Sequence, residues 1–197
     1  MAQERIRFPS KFPVLDAGEY TLRAIEARDL PAMRAYLADP AVIERTSSDL
    51  PTPHEVDGLV QFYSVAFARR SDFRWAIVPK GEDAMVGSCG LSAFSERHLR
   101  GELGYELAQA AWGKGVATVV ARHVIEYGFT ELGLHRIEAT VMTGNERSER
   151  VLQKLGFQRE GVLREYKFAR GVYRDYTLFG VLRTDWEASG LVGACRD

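Results

Sequence analysis

Cysteine is nearly missing from this chain of 197 residues: Cys89 and Cys195 are its two, far apart in sequence. They cannot form a framework of disulfide staples. Neither sign of charge is in excess, since 26 Lys and Arg stand against 27 Asp and Glu for a net charge of −1. That balance argues against a nucleic-acid backbone or an anionic membrane as the main partner. No apolar run is long enough to cross a bilayer, because charges interrupt every candidate. The opening MAQERIRFPSKFP puts charges where a signal peptide needs its apolar stretch. There is no internal repeat and no low-complexity segment. The expectation is a reduced, soluble, cytoplasmic protein without nucleic-acid or membrane partners.

What is present is enough to build a core. At 46% hydrophobic and 11% aromatic residues, a chain of this length fits one domain. Residues 1–18 read as an arm in which Pro9 and Pro13 discourage regular structure. Glu19 to Ile25 alternates polar and apolar residues, as a half-buried strand does. Asp29 offers an N-cap, Pro31 suits a first helical turn, and Asp39-Pro40 ends that helix. After the polar connection TSSDLPTP, a second helix runs from about His54 to Arg70. Phe73 to Val78, Met85 to Phe94 and Arg100 to Leu107 then read as three strands. Gly113 to Phe129 reads as a helix, Arg136 to Met142 as a strand, and Glu146 to Leu155 as a helix stopped by Gly156. Gly161 to Leu182 alternates strand-like runs about a turn at Ala169-Arg170-Gly171. This order predicts one α/β (α+β) domain with helices against a mixed, twisted sheet.

The most informative stretch is Trp112-Gly113-Lys114-Gly115-Val116-Ala117, between a strand and a helix. Glycines let backbone approach a ligand, and a helix start presents unpaired N–H groups with partial positive charge. Such a place binds phosphate. A Walker loop needs Ser or Thr after its Gly-Lys and an earlier glycine; here Gly115 follows Lys114 and Ala108 holds the earlier place. A dinucleotide fingerprint needs a third glycine, but Ala117 and Thr118 follow, although Glu138 stands about where its acidic residue belongs.

The same loop resembles the diphosphate loop, Q/R-x-x-G-x-G/A, of the GCN5-related N-acetyltransferases (GNAT). Trp112 in place of Gln or Arg resembles the RimJ/RimL branch. Asn145-Glu146-Arg147-Ser148, followed by Val151 to Leu155 and Gly156-Phe157, resembles the family's N-x-x-(A/S)…L-G-F helix and turn. The resemblance spans residues 19–186 in the right order, leaving the arm and a tail of residues 187–197 outside it. It implies a GNAT domain that binds acetyl-coenzyme A, with pyrophosphate at Trp112, Gly113, Lys114, Gly115, Val116 and Ala117. Pantetheine would lie along Arg136 to Met142 and meet Asn145. It implies direct attack of an amine on the thioester, with no acyl-enzyme and no metal. The favoured acceptor is the α-amine of a protein N-terminus. A small amine (amino acid, polyamine or antibiotic) and a non-catalytic acyl-coenzyme A module are the alternatives.

Glu102 and Glu106 stand four apart on one strand and therefore share a face. A carboxylate there is either wetted by a groove or paired. Glu102 resembles the family's acidic position and is the candidate base for the attacking amine; a salt bridge to Arg100 or Arg136 is the competing reading. Tyr105 points to the opposite face and reads as core. Asn145 suits a helix cap. Ser148 is the candidate acid for the departing thiolate, because Leu152 occupies the place where many relatives carry a tyrosine. The loop between the last two strands helps form the family's acceptor site, which makes Tyr166, Tyr173 and Asp175 candidate acceptor residues. The four histidines lack metal-pair spacing, and Cys89 reads as a small buried hydrophobe. The basic stretches at Arg97 to Arg100 and Arg164 to Arg174 read as solvated loops. The Phe8–Phe12 arm and the apolar helix Val56 to Phe67 either close a homodimer or fold back on a monomer.

Overall fold

Strand-like runs along this chain form one sheet whose two faces are covered by different helices. The computed structural model describes residues 5–44 and 52–191. Cys195 and most of the TSSDLPTP connection lie outside them. The strands are Leu15–Ala17 (β1), Tyr20–Ala24 (β2), Asp72–Pro79 (β3), Gly87–Ser95 (β4), Arg100–Leu107 (β5), Arg136–Met142 (β6), Gln158–Ala169 (β7) and Val172–Leu182 (β8). The helices are Leu30–Leu37 (α1), Pro40–Ile43 (α2), Pro53–Ala68 (α3), Val116–Thr130 (α4), Glu146–Lys154 (α5) and Arg183–Ala188 (α6). One eight-stranded sheet has the order β1-β2-β3-β4-β5-β6-β8-β7. Its β5–β6 pair is parallel, and the other pairs are antiparallel.

The odd-numbered residues of β3 to β5 face α4. Trp75, Cys89, Leu91 and Leu103 there pack with Val120, Val124 and Ile125 of the helix. The even-numbered face of β3, at Ala76 and Val78, packs with Met33, Tyr36 and Val56 of α1 and α3. Thr52 and Glu55 begin α3 with a reciprocal capping box, which satisfies two otherwise orphaned backbone donors.

The arm is more ordered than its prolines suggest. Ile6 is buried and Arg7 N–H donates to the Leu132 carbonyl at 2.9 Å. Phe8 stacks with Phe73, with ring centroids 5.7 Å apart, and Phe12 meets Trp75 at 5.4 Å. Leu15–Ala17 then pairs with β2 as an edge strand. Aromatic burial against its own sheet supplies order that local propensity does not. Pro40 ends α1 as expected but also opens α2, whose cap Asp39 accepts from Ala41 N–H at 2.9 Å. Proline is excluded from helix interiors but suits the first turn. The helix α6 is a further difference: Trp186 Nε1 donates to Glu126 on α4 at 2.6 Å and docks it there. At the other end of the sheet, Arg170 and Gly171 at φ +52° and +76° make the two-residue hairpin turn between β7 and β8.

Candidate active site

The parallel strands β5 and β6 pair only over Arg100–Glu102 against Arg136–Glu138. Past Glu102 they separate, while β5 keeps its bonds to β4 and β6 keeps its bonds to β8. The inward-facing N–H and C=O groups of both strands are thereby left without a strand partner, and an extended ligand can bond to them as an added strand would. A cleft of about 850 Å³ occupies the split, walled by β5, β6, the loop before α4, and α5.

The loop wall is built for an anion. Gly113 and Gly115 adopt φ +76° and +80°, and a Cβ on either would meet no other atom within 4 Å. Their backbone conformation, not crowding, requires glycine, and the space above the loop stays open. Gly115 caps α4, whose first turn carries no acidic residue. The N–H groups of Val116, Ala117 and Thr118 have no partner inside the helix and belong to the cleft wall. Trp112 braces this loop: its Nε1 donates to the Leu107 carbonyl at 2.9 Å. Arg147 of α5 lies 5.5 Å from the centre of its ring. Lys114 is exposed. Arg147, Arg150 and Lys154 line the cleft from α5.

Asn145 caps α5, its Oδ1 accepting from Ser148 N–H at 3.3 Å. Both residues line the cleft. Ser148 Oγ lies 2.7 Å from the Tyr105 hydroxyl. Tyr105 sits on the face opposite Glu102, as its position dictates, yet its hydroxyl end reaches the cleft through the split. Burial raises its pKa, so the phenol keeps its proton, although the bond to Ser148 acts in the opposite direction. Leu152, one turn along α5, is fully buried. The hydroxyl that stands beside Ser148 comes from β5, at Tyr105. The signal for this was the pairing of a tyrosine on β5 with a serine on α5, which no local pattern connects.

Glu102 lines the other half of the cleft. It is not the partner of Arg100 or Arg136: both pair with Glu138, at 3.0 and 2.9 Å, and Arg136 also holds Glu160. Gly180 makes this possible, because a side chain there would sit 2.5 Å from the Arg136 guanidinium. Glu102 Oε1 instead accepts from Thr140 Oγ1 at 2.6 Å, and Lys167 Nζ donates to the same threonine at 3.2 Å. Lys167 Nζ also lies 5.0 Å from the Tyr176 ring centre. Glu106 accepts from Tyr36 at 3.3 Å and Ser88 at 3.2 Å.

Arg74 reaches this wall by an unusual route. Arg74, Gly90 and Gly104 are in register across β3, β4 and β5. The two glycines leave a trough along which the side chain lies flat, and its Nη1 donates to the Gly104 carbonyl at 3.2 Å. A Cβ on Gly104 would come within 3.4 Å of the guanidinium. Asp72 stands behind it at 3.9 Å, and Tyr63 lies beneath it with its ring centre 5.9 Å away. Burial pushes the Tyr63 hydroxyl up to about 12, so it stays neutral.

The other candidates lie elsewhere. Tyr166 and Tyr173 are 48% and 64% exposed, and neither lines the cleft. Asp175 Oδ1 accepts from Glu165 N–H at 2.8 Å and so clamps the irregular register between β7 and β8. The cleft positions of that hairpin are Lys167 and Tyr176. Cys89 is fully buried, and burial pushes its thiol up to about 12, which leaves no thiolate for catalysis. Among the described residues no group of three His, Cys, Asp or Glu side chains is placed to hold a metal ion.

A mixed sheet split beside a glycine-led helix start, with a carboxylate on one side and hydroxyls on the other, is the architecture of an acyl-coenzyme A-dependent N-acetyltransferase. The family model described as "Acetyltransferase (GNAT) domain" matches residues 20–158, and the chain belongs to that family. It is 32% identical over 173 residues to the uncharacterized N-acetyltransferase YoaA of Bacillus subtilis, covering 87% of this chain and 98% of that protein. To the spermidine N(1)-acetyltransferase of Escherichia coli K12 it is 31% identical over 154 residues, covering 78% and 81% of the two chains. The structure of Mycobacterium smegmatis RimJ in complex with CoA-disulfide superposes with a TM-score of 0.78 at 26% identity, covering 92% of this chain and 91% of that one. Enzymes of the family use acetyl-coenzyme A, and this chain is an N-acetyltransferase acting on an amine.

Proposed function

We propose that this enzyme acetylates the α-amine of a protein N-terminus. The observation that carries the mechanism is the placement of Glu102 and the Ser148–Tyr105 pair in one cleft opened by the separation of β5 and β6. Likeness to RimJ supports the choice of acceptor.

Acetyl-coenzyme A supplies the activated acetyl group. Its pyrophosphate suits the glycine-led N–H groups of residues 113–117, with Trp112 bracing them and Lys114 adding charge. Its pantetheine amides suit the unpaired edges of β5 and β6 past Glu102 and the cap residue Asn145. The incoming ammonium loses a proton to Glu102, which Thr140 holds in place. The freed amine attacks the thioester carbonyl. A C–N bond forms, the C–S bond breaks, and the departing sulfur takes the proton of the Ser148 hydroxyl; the second proton of the attacking nitrogen leaves to solvent, and Ser148 regains a proton from solvent. Positioning of both partners in the cleft supplies much of the acceleration.

Glu102→Gln tests the base. Turnover at neutral pH is expected to fall by about a hundredfold or more, the usual contribution of a general base, while acetyl-coenzyme A binding by calorimetry is unchanged. Undiminished turnover would remove the assignment. The small-amine reading has support in the likeness to the spermidine enzyme; coenzyme A release with panels of N-terminal peptides and small amines separates the two.

A further inference from the structure

The charges that line the cleft are unevenly divided. Among the described residues, α5 lines the cleft with Arg147, Arg150 and Lys154 and with no carboxylate, although Arg150 also pairs with Glu146 at 3.2 Å; this suits a polyanionic coenzyme. The acceptor wall carries Glu102 and Glu106, and it also carries Arg74 and Lys167. Asp72 stands behind the Arg74 guanidinium at 3.9 Å. Glu106 is engaged by Tyr36 and Ser88. The Arg74 guanidinium lies over Gly104, between Glu102 and Glu106 on one face of β5. Lys167 reaches Glu102 through Thr140. Glu102, held by the one hydroxyl of Thr140, keeps accepting capacity for an incoming ammonium.

We infer that the acceptor is an amine carrying a single positive charge with an oxygen close to it, and that Arg74 makes this selection against polycations. This rests on the acetyl-transfer reading above. A peptide N-terminus fits: its ammonium goes to Glu102, and the carbonyl beside it is an acceptor for the guanidinium. A polyamine places a second cation a few ångströms from Arg74 or Lys167 in a partly desolvated cleft, where like charges repel strongly. It also has no oxygen for Arg74. The sequence supports this placement with two glycines: Gly104 leaves the guanidinium room to lie against β5, where a Cβ would only just touch it at 3.4 Å, and Gly90 lets β3 and β4 approach closely. At 90 the clash would be with the backbone of β3, 2.2 Å from the Phe73 carbonyl oxygen.

The test compares kcat/KM for coenzyme A release with an alanine-led pentapeptide and with spermidine, in the unaltered enzyme, Arg74→Gln and Arg74→Lys. The unaltered enzyme is expected to favour the peptide by at least a hundredfold. Arg74→Gln lowers that ratio at least tenfold, and Arg74→Lys restores part of it. Spermidine used as well as the peptide, or a glutamine variant that slows both acceptors by one factor, would overturn the inference. Arg74→Met removes the charge while keeping most of the side-chain length, and is read in the same way if Arg74→Gln does not fold. Should no amine release coenzyme A from an enzyme that binds acetyl-coenzyme A, the transfer reading fails by itself. Selection is then decided by melting the loaded protein with each amine. Stabilisation by the peptide and not by spermidine upholds it, and equal stabilisation overturns it.

Discussion

Replacing Tyr105 with phenylalanine removes one oxygen from the centre of the cleft and leaves the ring that packs beneath it. That oxygen is 2.7 Å from Ser148 Oγ. Burial keeps the phenol protonated. Either hydroxyl can donate in this bond; with the phenol donating to Ser148 Oγ, the serine proton is left to point at the departing sulfur. A neutral hydrogen bond of this kind contributes about 1–1.5 kcal/mol net. If that contribution is realised in the transition state, Tyr105→Phe lowers kcat by about 5–13-fold at 1.4 kcal/mol per decade. Ser148→Ala removes the proton donor itself and is expected to cost about a hundredfold or more. The decisive measurement is the double variant. Tyr105 acts through Ser148, so adding Tyr105→Phe to Ser148→Ala should cost nothing further, and the coupling energy should be about 1 kcal/mol. An acetyl donor with a more acidic thiol should narrow the Ser148→Ala deficit, because a better leaving group needs less help. Equal effects of Tyr105→Phe in both backgrounds would refute the pairing. A deficit insensitive to the leaving group would remove Ser148 as the acid.

Two further outcomes test the walls around that centre. Gly115→Val forces a β-branched residue to φ +80°, a conformation such residues essentially avoid, at a cost of about 1–3 kcal/mol. The α4 start should shift and the dissociation constant for acetyl-coenzyme A rise roughly tenfold or more, which calorimetry reads directly; an unchanged constant would place the pyrophosphate elsewhere. Burial raises the Cys89 thiol to about 12, above its unfolded value, so stability on this account is complete below the unfolded pKa and is lost as pH rises toward 12. Native protein at pH 8.5 should resist iodoacetamide at Cys89 and take it up on unfolding, as peptide mass shows; rapid native labelling would contradict the burial.

Most elements were legible because they rest on local patterns. Alternation marked β2, strand-like runs marked β3 to β6, apolar spacing marked α3 and α4, and Ala169-Arg170-Gly171 marked a hairpin whose turn sits at Arg170 and Gly171. The arm was not legible. Pro9 and Pro13 argue against regular structure, and only the aromatic surface of Phe67, Phe73 and Trp75 gives Phe8 and Phe12 something to cover. Nor was α6, whose anchor is the long-range bond from Trp186 to Glu126.

The site divides in the same way. Gly113, Gly115 and the cap Asn145 are dictated by sequence, because a left-handed backbone and a helix start need particular residue types within a few positions. The positions of Tyr105 beside Ser148, and of Lys167 and Thr140 beside Glu102, depend on which strands lie side by side and where two of them separate. Arg74 is the clearest case. In sequence it is one basic residue in an apolar strand, and Gly90 and Gly104 are two unremarked glycines. Strand register alone places the three in one row, and the close approach of β3 that Gly90 allows, with the room over Gly104, turns an arginine on β3 into a residue of the cleft wall.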